Sequence, residues 1–345
     1  MSLRIGIVGA GLIGEKRAGA IPPSDRIIGV HDVDPARAGA LASGVGAKAC
    51  PSLDALLAMA PDVVVVSTTH DALAPTTVRA LGAGAHVLVE KPAGLSGADV
   101  DVIADAAAHA RRLVKVGFNH RFHPGIRKLI AGVRSGVFGP VMFMRARYGH
   151  GGRLGYESEW RADPGRSGGG ELIDQGMHLV DLSHALIGPL PLHSALVHTD
   201  FWDMEVDDNA VLILGASGRH GAWSTFHVSC SEWKNVFEME VYARTAKWTV
   251  SGLAGSYGPQ VLRTFRMAPE MGPPDVEELA FPPGDASWTA EWEHFRSVIA
   301  SGGSQDDVEG GIDDARYAHA VVHDAYVKSG YRDPGGRAVP RSEVQ

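Results

Sequence analysis

Cysteine is scarce: the 345-residue chain holds two, Cys50 and Cys230. They share no CxxC and no paired spacing, so neither a disulfide framework nor a thiolate zinc site is indicated, and a reducing compartment is expected. Long apolar runs are missing too. No window reaches the roughly 18 apolar residues that a membrane span needs, and the opening "MSLRIGIVGAGLIGEK" lacks the apolar core and small-residue cleavage site of a secretory leader. A soluble, cytoplasmic protein with no membrane partner is therefore expected. Basic charge is not in excess: 32 Lys and Arg stand against 40 Asp and Glu, a formal charge of -8. That balance leaves no electrostatic footprint for nucleic acid and points to small molecules instead.

What is present is length and pattern. The chain is long enough for two domains, each with its own core. Up to about residue 120, short β-branched runs ("LRIGIVGA", "RIIGVHDV", "PDVVVVST", "AHVLVEKP", "RLVKVGFN") alternate with Ala-rich amphipathic stretches such as "DPARAGALASG" and "LAPTTVRALGAG". Strand alternating with helix is the signature of a parallel α/β sheet. After the helical "HPGIRKLIAGVRSG" the texture changes to longer strand-like runs, "PVMFMRARYGH", "NAVLILGAS", "GAWSTFHVSCS" and "VFEMEVYARTAKWTVSG". These read as an antiparallel sheet with one face packed. Two amphipathic helices, "ASWTAEWEHFRSVIASG" and "GIDDARYAHAVVHDAYVKSG", follow. The expected division is 1–122 and 123–345, with the C-terminal helices packing back on the first domain.

"GIVGAGLIG" sets Gly9, Gly11 and Gly14 in G-x-G-x-x-G spacing between a strand and a helix. Without Cβ atoms the backbone turns sharply and approaches a pyrophosphate, whose charge the helix N-terminus favours; Leu12 and Ile13 belong to the same cradle. Asp32 ends the next strand, where a carboxylate accepts both hydroxyls of an adenosine ribose and repels a 2′-phosphate. NAD is thus preferred over NADP, with Arg37 as the counterweight.

Further on, "HVLVEKPAG" carries Glu90, Lys91 and Pro92, and "GGGELIDQGMHLVD" carries Asp174 and His178. Together with the glycine turn these segments resemble the glucose-fructose oxidoreductase, inositol dehydrogenase and MocA family. The resemblance implies a Rossmann domain followed by an α+β domain with a large open-faced, mainly antiparallel sheet, and a substrate bound in the cleft they form. It places the catalytic lysine on Lys91 and the helical acid and base on Asp174 and His178. Four residues apart on an α-helix, these two lie on one face, about 5 to 6 Å apart at Cβ. Leu172, Leu179 and Leu186 repeat on the buried side, and Gly188 with Pro189 ends the helix. The resemblance also places Thr68, Thr69, His70, Glu90, Lys91 and Asn119 near the cofactor. One departure is Leu73, which stands in "STTHDALAP" where many members carry a histidine.

The implied chemistry is hydride transfer between a nicotinamide and a ring carbinol. An imidazole, with an ordinary pKa of about 6.5, suits the base role. Lys91, Arg121, Trp160, Arg161, Asp174 and His178 are the expected substrate contacts. His120 and His123 lack a third ligand at metal-binding spacing, so no metal is expected. The acidic, aromatic "DFWDMEVDD", from Asp200 to Asp208, favours a neutral sugar, a cyclitol or an aminosugar such as an aminoglycoside. Arg153, Arg161 and Arg166 argue for the alternative, a nucleotide-sugar dehydrogenase or ketoreductase. An NAD-assisted glycoside hydrolase and a non-enzymatic nucleotide-dependent sensor are the other readings. A homo-oligomer, dimer or tetramer, is the expected assembly.

Overall fold

The computed structural model describes residues 2–215, 221–270 and 272–331. The chain divides into two compact units, one running to Asn119 and including Trp288–Arg316, the other formed by His120–Ser287 and the chain from Tyr317.

The first unit opens with β1 (Arg4–Val8), α1 (Leu12–Ala20), β2 (Arg26–His31), α2 (Pro35–Val45) and β3 (Lys48–Ala49). It continues with α3 (Leu53–Leu57), β4 (Val63–Val66), α4 (His70–Gly82), β5 (His86–Val89), α5 (Gly97–Ala110) and β6 (Val114–Val116). The six strands are parallel, in the order β3-β2-β1-β4-β5-β6. All four valines of β4 are buried, as a strand covered on both faces requires. Helix starts are encoded locally. Asp34 caps α2 ahead of Pro35, and Ser96 with Asp99 forms a capping box on α5, each worth about 1 kcal/mol. Trp292 and Phe295, from a later helix, enter the core around β1, and the Trp292 indole N–H donates to Asp25 at 3.0 Å. The strand order reverses between β1 and β4, so the turns after these strands open at the switch point where α/β sheets bind ligands.

The second unit contains α6 (Pro124–Arg134), β7 (Val141–Gly149), α7 (Pro164–Ser167), α8 (Met177–Ile187), β8 (Leu192–His198), β9 (Asn209–Gly215) and β10 (Trp223–Ser229). Then come β11 (Val236–Ala243), β12 (Ala246–Ser251), β13 (Val261–Arg266) and β14 (Asp275–Ala280). Helices α9 (Ser287–Ser301) and α10 (Ile312–Lys328) end the described chain. The eight strands form one sheet, β14-β13-β12-β11-β7-β10-β9-β8, antiparallel except for the β7/β10 pair. In β11 the residues alternate: Phe237, Met239, Val241 and Ala243 are buried while Glu238, Glu240 and Tyr242 point away. Helices α6 and α8 pack on the buried face. The other face carries the ion pairs Arg145–Glu240 at 2.6 Å and Lys247–Glu240 at 2.7 Å, beside the stacked rings of Trp223, Phe143 and Tyr242.

Strands β8, β13 and β14 are not evident from composition. Their outward positions mix charge with exposed apolar residues such as Leu196 and Val276, and neighbours such as Arg263–Glu278 pair across them at 2.7 Å.

Candidate active site

In the first unit the glycine turn divides into two kinds of position. Gly9 has φ +94°, and a Cβ there would lie 2.4 Å from the Ser67 carbonyl oxygen; on Gly14 it would lie 2.0 Å from the Gly9 oxygen. Both glycines are required by the protein's own packing. On Gly11 a Cβ would meet no protein atom within 4 Å. Gly11 caps α1 without a side-chain hydrogen bond, and Leu12 beside it is exposed. A backbone cradle at a helix N-terminus, glycine where the protein does not need it, fits an approaching pyrophosphate. Asp32 stands over this turn: its carboxylate accepts from the Ala10 N–H at 2.6 Å and from the Asp34 N–H at 2.8 Å. Arg37 leans on Asp34 of its own helix start, at 3.3 Å.

Thr69 is the residue before α4, the Thr68 hydroxyl donates to the Thr69 carbonyl at 3.2 Å, and His70 opens the helix in a buried position. Leu73 is fully buried in α4, so the departure from the family pattern fills core with an apolar side chain. Lys91 follows β5, half-buried. Its neighbour Glu90 is turned to the protein: its carboxylate accepts from Arg17 at 2.6 Å, Arg17 donates to Glu291 at 2.5 Å, and Lys115 lies 2.8 Å from Glu291. Burial pushes the Glu90 carboxyl up against the opposing pull of Arg17. Burial raises Glu291 as well, but Lys115 and Arg17 together hold it below the ordinary carboxylate value. Removing one partner from such a buried set costs about 3 to 5 kcal/mol. Asn119 is buried in the 3-10 turn Asn119–Phe122.

In the second unit the stretch read as the start of one α-helix is different. Leu172–Gly176 forms a π turn that widens the coil before α8 begins at Met177, so Asp174 and His178 sit on two kinds of helix. Asp207 fixes the entry to this turn. Its carboxylate accepts from the Gly170 N–H at 2.9 Å, the Leu172 N–H at 2.7 Å and the Tyr326 hydroxyl at 2.6 Å, and its carbonyl accepts from the Glu171 N–H at 2.8 Å. A Cβ on Gly170 would fall 1.9 Å from the Asp207 oxygen. Leu172, Leu179 and Leu186 are buried as expected and Gly188 ends the helix, but α8 is enclosed on nearly all sides.

Asp174 and His178 are both buried, at 7% and 4% exposure. The Arg161 Nε–H donates to Asp174 at 3.0 Å, and the Arg161 guanidinium stacks over Trp160. The His178 ring stacks on His120 with centroids 3.8 Å apart, and Tyr148 closes the edge at 6.3 Å. Arg121 is buried with its fork on Asp181 of α8, at 2.8 and 2.6 Å, which braces the helix. Two residues that spacing alone left aside join this set: Glu171, 1% exposed, and His150, whose Nε2 lies 3.5 Å from its carboxylate. Glu171 immediately precedes the π turn that carries Asp174. Among the described residues no group of three or more His, Cys, Asp or Glu is arranged to hold a metal ion.

Two acids of the stretch serve the fold, while Asp200, Asp203 and Glu205 are exposed. Asp207 clamps the π turn, and Asp208 accepts the N–H groups of Asp200, Phe201 and Trp202 at 2.8, 2.7 and 2.9 Å. The Trp202 indole donates to the Cys230 carbonyl at 2.8 Å.

Among the described residues, no helix is long and apolar enough to cross a membrane. Residues 3–118 match the model of an oxidoreductase family with an NAD-binding Rossmann fold, and residues 126–251 match the C-terminal domain of the same family. The chain is 40% identical over 148 residues to an inositol 2-dehydrogenase of Acidothermus cellulolyticus, covering 40% of this chain and 42% of that one. It is 32% identical over 144 residues to a UDP-N-acetylglucosamine 3-dehydrogenase of Acidithiobacillus ferrooxidans, covering 42% and 44%. The match thus spans less than half the length of either relative. The fold is shared with levoglucosan dehydrogenase in complex with NADH, at TM-score 0.84 and 17% identity over 96% of this chain and 97% of that one. Both halves are matched by models of one family, and this chain belongs to the Gfo/Idh/MocA family of oxidoreductases.

Proposed function

We propose that the chain is an NAD-dependent dehydrogenase that oxidises a secondary alcohol on an unphosphorylated sugar, cyclitol or aminosugar ring, or reduces the matching ketone. NAD, when bound, supplies the hydride acceptor. The Gly9–Gly14 turn, with Leu12 and Ile13, would hold its pyrophosphate, and Asp32 would accept its ribose hydroxyls. Thr68, Thr69, His70 and Asn119 would line the same side. The reading gives Lys91 the hydrogen bond to the reacting oxygen, and His178 the hydroxyl proton. Asp174, fixed by Arg161, orients the base or holds a neighbouring hydroxyl, and Trp160 offers a ring face. Arg121 serves the site by bracing α8.

The observation that carries the reading is a buried acid and a buried histidine on a helix start clamped from the side by Asp207, in a chain with the family's glycine turn and lysine. The choice of substrate rests on the arginines. Arg161 is taken by Asp174 and Arg153 by Glu159 at 2.6 Å, which leaves less positive charge for a diphosphate. A cytoplasmic homo-oligomer formed through the exposed sheet face belongs to the same reading, and light scattering in solution checks the assembly.

The test is a turnover panel of free sugars, cyclitols, aminosugars and nucleotide sugars with NAD and with NADP, followed by nicotinamide absorbance. A free ring polyol with NAD is expected to give the highest kcat/KM. A nucleotide sugar ahead by tenfold, about 1.4 kcal/mol, would overturn the substrate choice. Product formed without net absorbance change would indicate the hydrolase, and binding without turnover the sensor.

A further inference from the structure

The histidines of "GFNHRFHP" belong to no metal-binding group among the described residues, and the function above leaves His120 without a role. Yet His120 is enclosed, at 5% exposure, and its ring lies flat on that of His178, with centroids 3.8 Å apart and planes 20° apart. Its other sides are filled. Tyr148 lies 5.1 Å away at 58° and Phe237 6.0 Å away at 61°, while His123 meets the ring edge to face at 5.5 Å. The next residue, Arg121, places two hydrogen bonds on Asp181 of α8, three residues beyond His178, so the turn Asn119–Phe122 and the helix are tied together beside the stack.

A helix fixes the Cβ of a histidine but leaves its ring to turn about the Cβ–Cγ bond, a torsion with broad wells. For a base that freedom is a cost. The lone pair and the N–H of an imidazole lie in the ring plane, so proton transfer from a substrate hydroxyl is aligned only when that plane is held in the right direction. Stacking supplies the hold. At 3.8 Å the two rings leave no room for an edge-on turn, which needs about 5 Å between centroids.

We propose that His120 is a positioning residue for the dehydrogenase reaction, a flat face that keeps the His178 ring in the plane from which it takes the hydroxyl proton. The proposal rests on the function proposed above. His120 acts through His178 and does not itself take the proton. Its aromatic face is what the site uses, so another flat ring serves in its place and an aliphatic side chain does not.

Two variants separate face from volume: His120→Leu fills the space without a flat face, and His120→Phe keeps the face without the ring nitrogens. In the cofactor-free protein with isotope-labelled histidine, the ring C–H signals of His178 are identified by their loss in His178→Asn. They are expected upfield, where the current of a stacked ring puts them, to stay there in His120→Phe and to move downfield in His120→Leu. With the best ring polyol, His120→Leu is expected to lower kcat by roughly 10 to 10²-fold with KM within about twofold, and His120→Phe to hold kcat within about threefold of wild type. A folded His120→Leu with wild-type kcat, or with the His178 signals unmoved, overturns the assignment. Should His120→Leu fail to fold, wild-type His178 signals at unstacked positions, or a kcat lost in His120→Phe, overturn it as well. Absence of any polyol oxidation overturns the function instead, while the spectra still judge the stack.

Discussion

A methyl group added to Gly11 would meet no protein atom within 4 Å, whereas one added to Gly170 would lie 1.9 Å from the Asp207 carbonyl oxygen. In the first unit Gly11 stands where the protein itself leaves room, the room that the proposed function gives to the cofactor. In the second unit a glycine lets an acid from a distant loop reach the backbone at the start of the turn that carries Asp174. One glycine borders open space, and the other lets the backbone of a distant loop close on a helix start.

The strongest way to break this comparison is Gly170→Ala. The clash with Asp207 backbone is expected to destabilise the protein by about 3 kcal/mol or more, seen as a lowered urea midpoint, with NAD binding retained in whatever remains folded. A variant as stable as wild type would remove the clamp from the account.

Next in size is the pH dependence of stability. The Glu171 carboxyl rises from 4.5 to about 7 on folding, so the folded state binds its proton more tightly than the unfolded state. Its contribution is therefore present below the unfolded value and is lost as pH rises through about 7. The raised His150 ring acts in the same direction. Between pH 5 and pH 8 wild type is expected to lose roughly 2 to 3 kcal/mol relative to Glu171→Gln. Parallel stability curves would contradict this.

Gly11→Ser sharpens the other half. Serine is a good N-cap, so stability is expected to hold within about 0.5 kcal/mol while the NAD dissociation constant rises about tenfold. Unchanged NAD affinity would mean the open position serves no ligand. The smallest effect is expected from Asp32→Ser, which removes the carboxylate over the turn and is expected to improve NADP relative to NAD by severalfold in a paired titration. A preference that stays fixed would place cofactor choice elsewhere.

Much of this was legible in the sequence where the signal is local. The glycine turn, the strand and helix alternation and the Leu172, Leu179, Leu186 stripe each follow from residues within one or two turns of one another. The clamp was not, because Asp207 stands 37 residues from the Gly170 N–H it accepts and reads as one more acid in a polar turn. For the same reason "DFWDMEVDD" looked like a sugar-facing surface when two of its acids face backbone. The π turn is invisible to a 3.6-residue period, since its wider coil breaks that repeat. Motif position sets Glu90 and Arg121 at the ligand site, while their bonds to Arg17 and Asp181 come from residues far off in sequence. Glu171 has no sequence signal of its own, and its burial is what sets it apart from a surface acid.

The central claim is that Lys91 holds the reacting oxygen and His178 takes its proton in an NAD-dependent oxidation. The direct measurement is the rate of nicotinamide reduction with the best ring polyol for wild type, Lys91→Met and His178→Asn, alongside NAD titration of each. The account predicts kcat lowered by roughly 10² to 10⁴-fold in both variants with NAD affinity near wild type. Unchanged turnover in both, with NAD still bound, would contradict it.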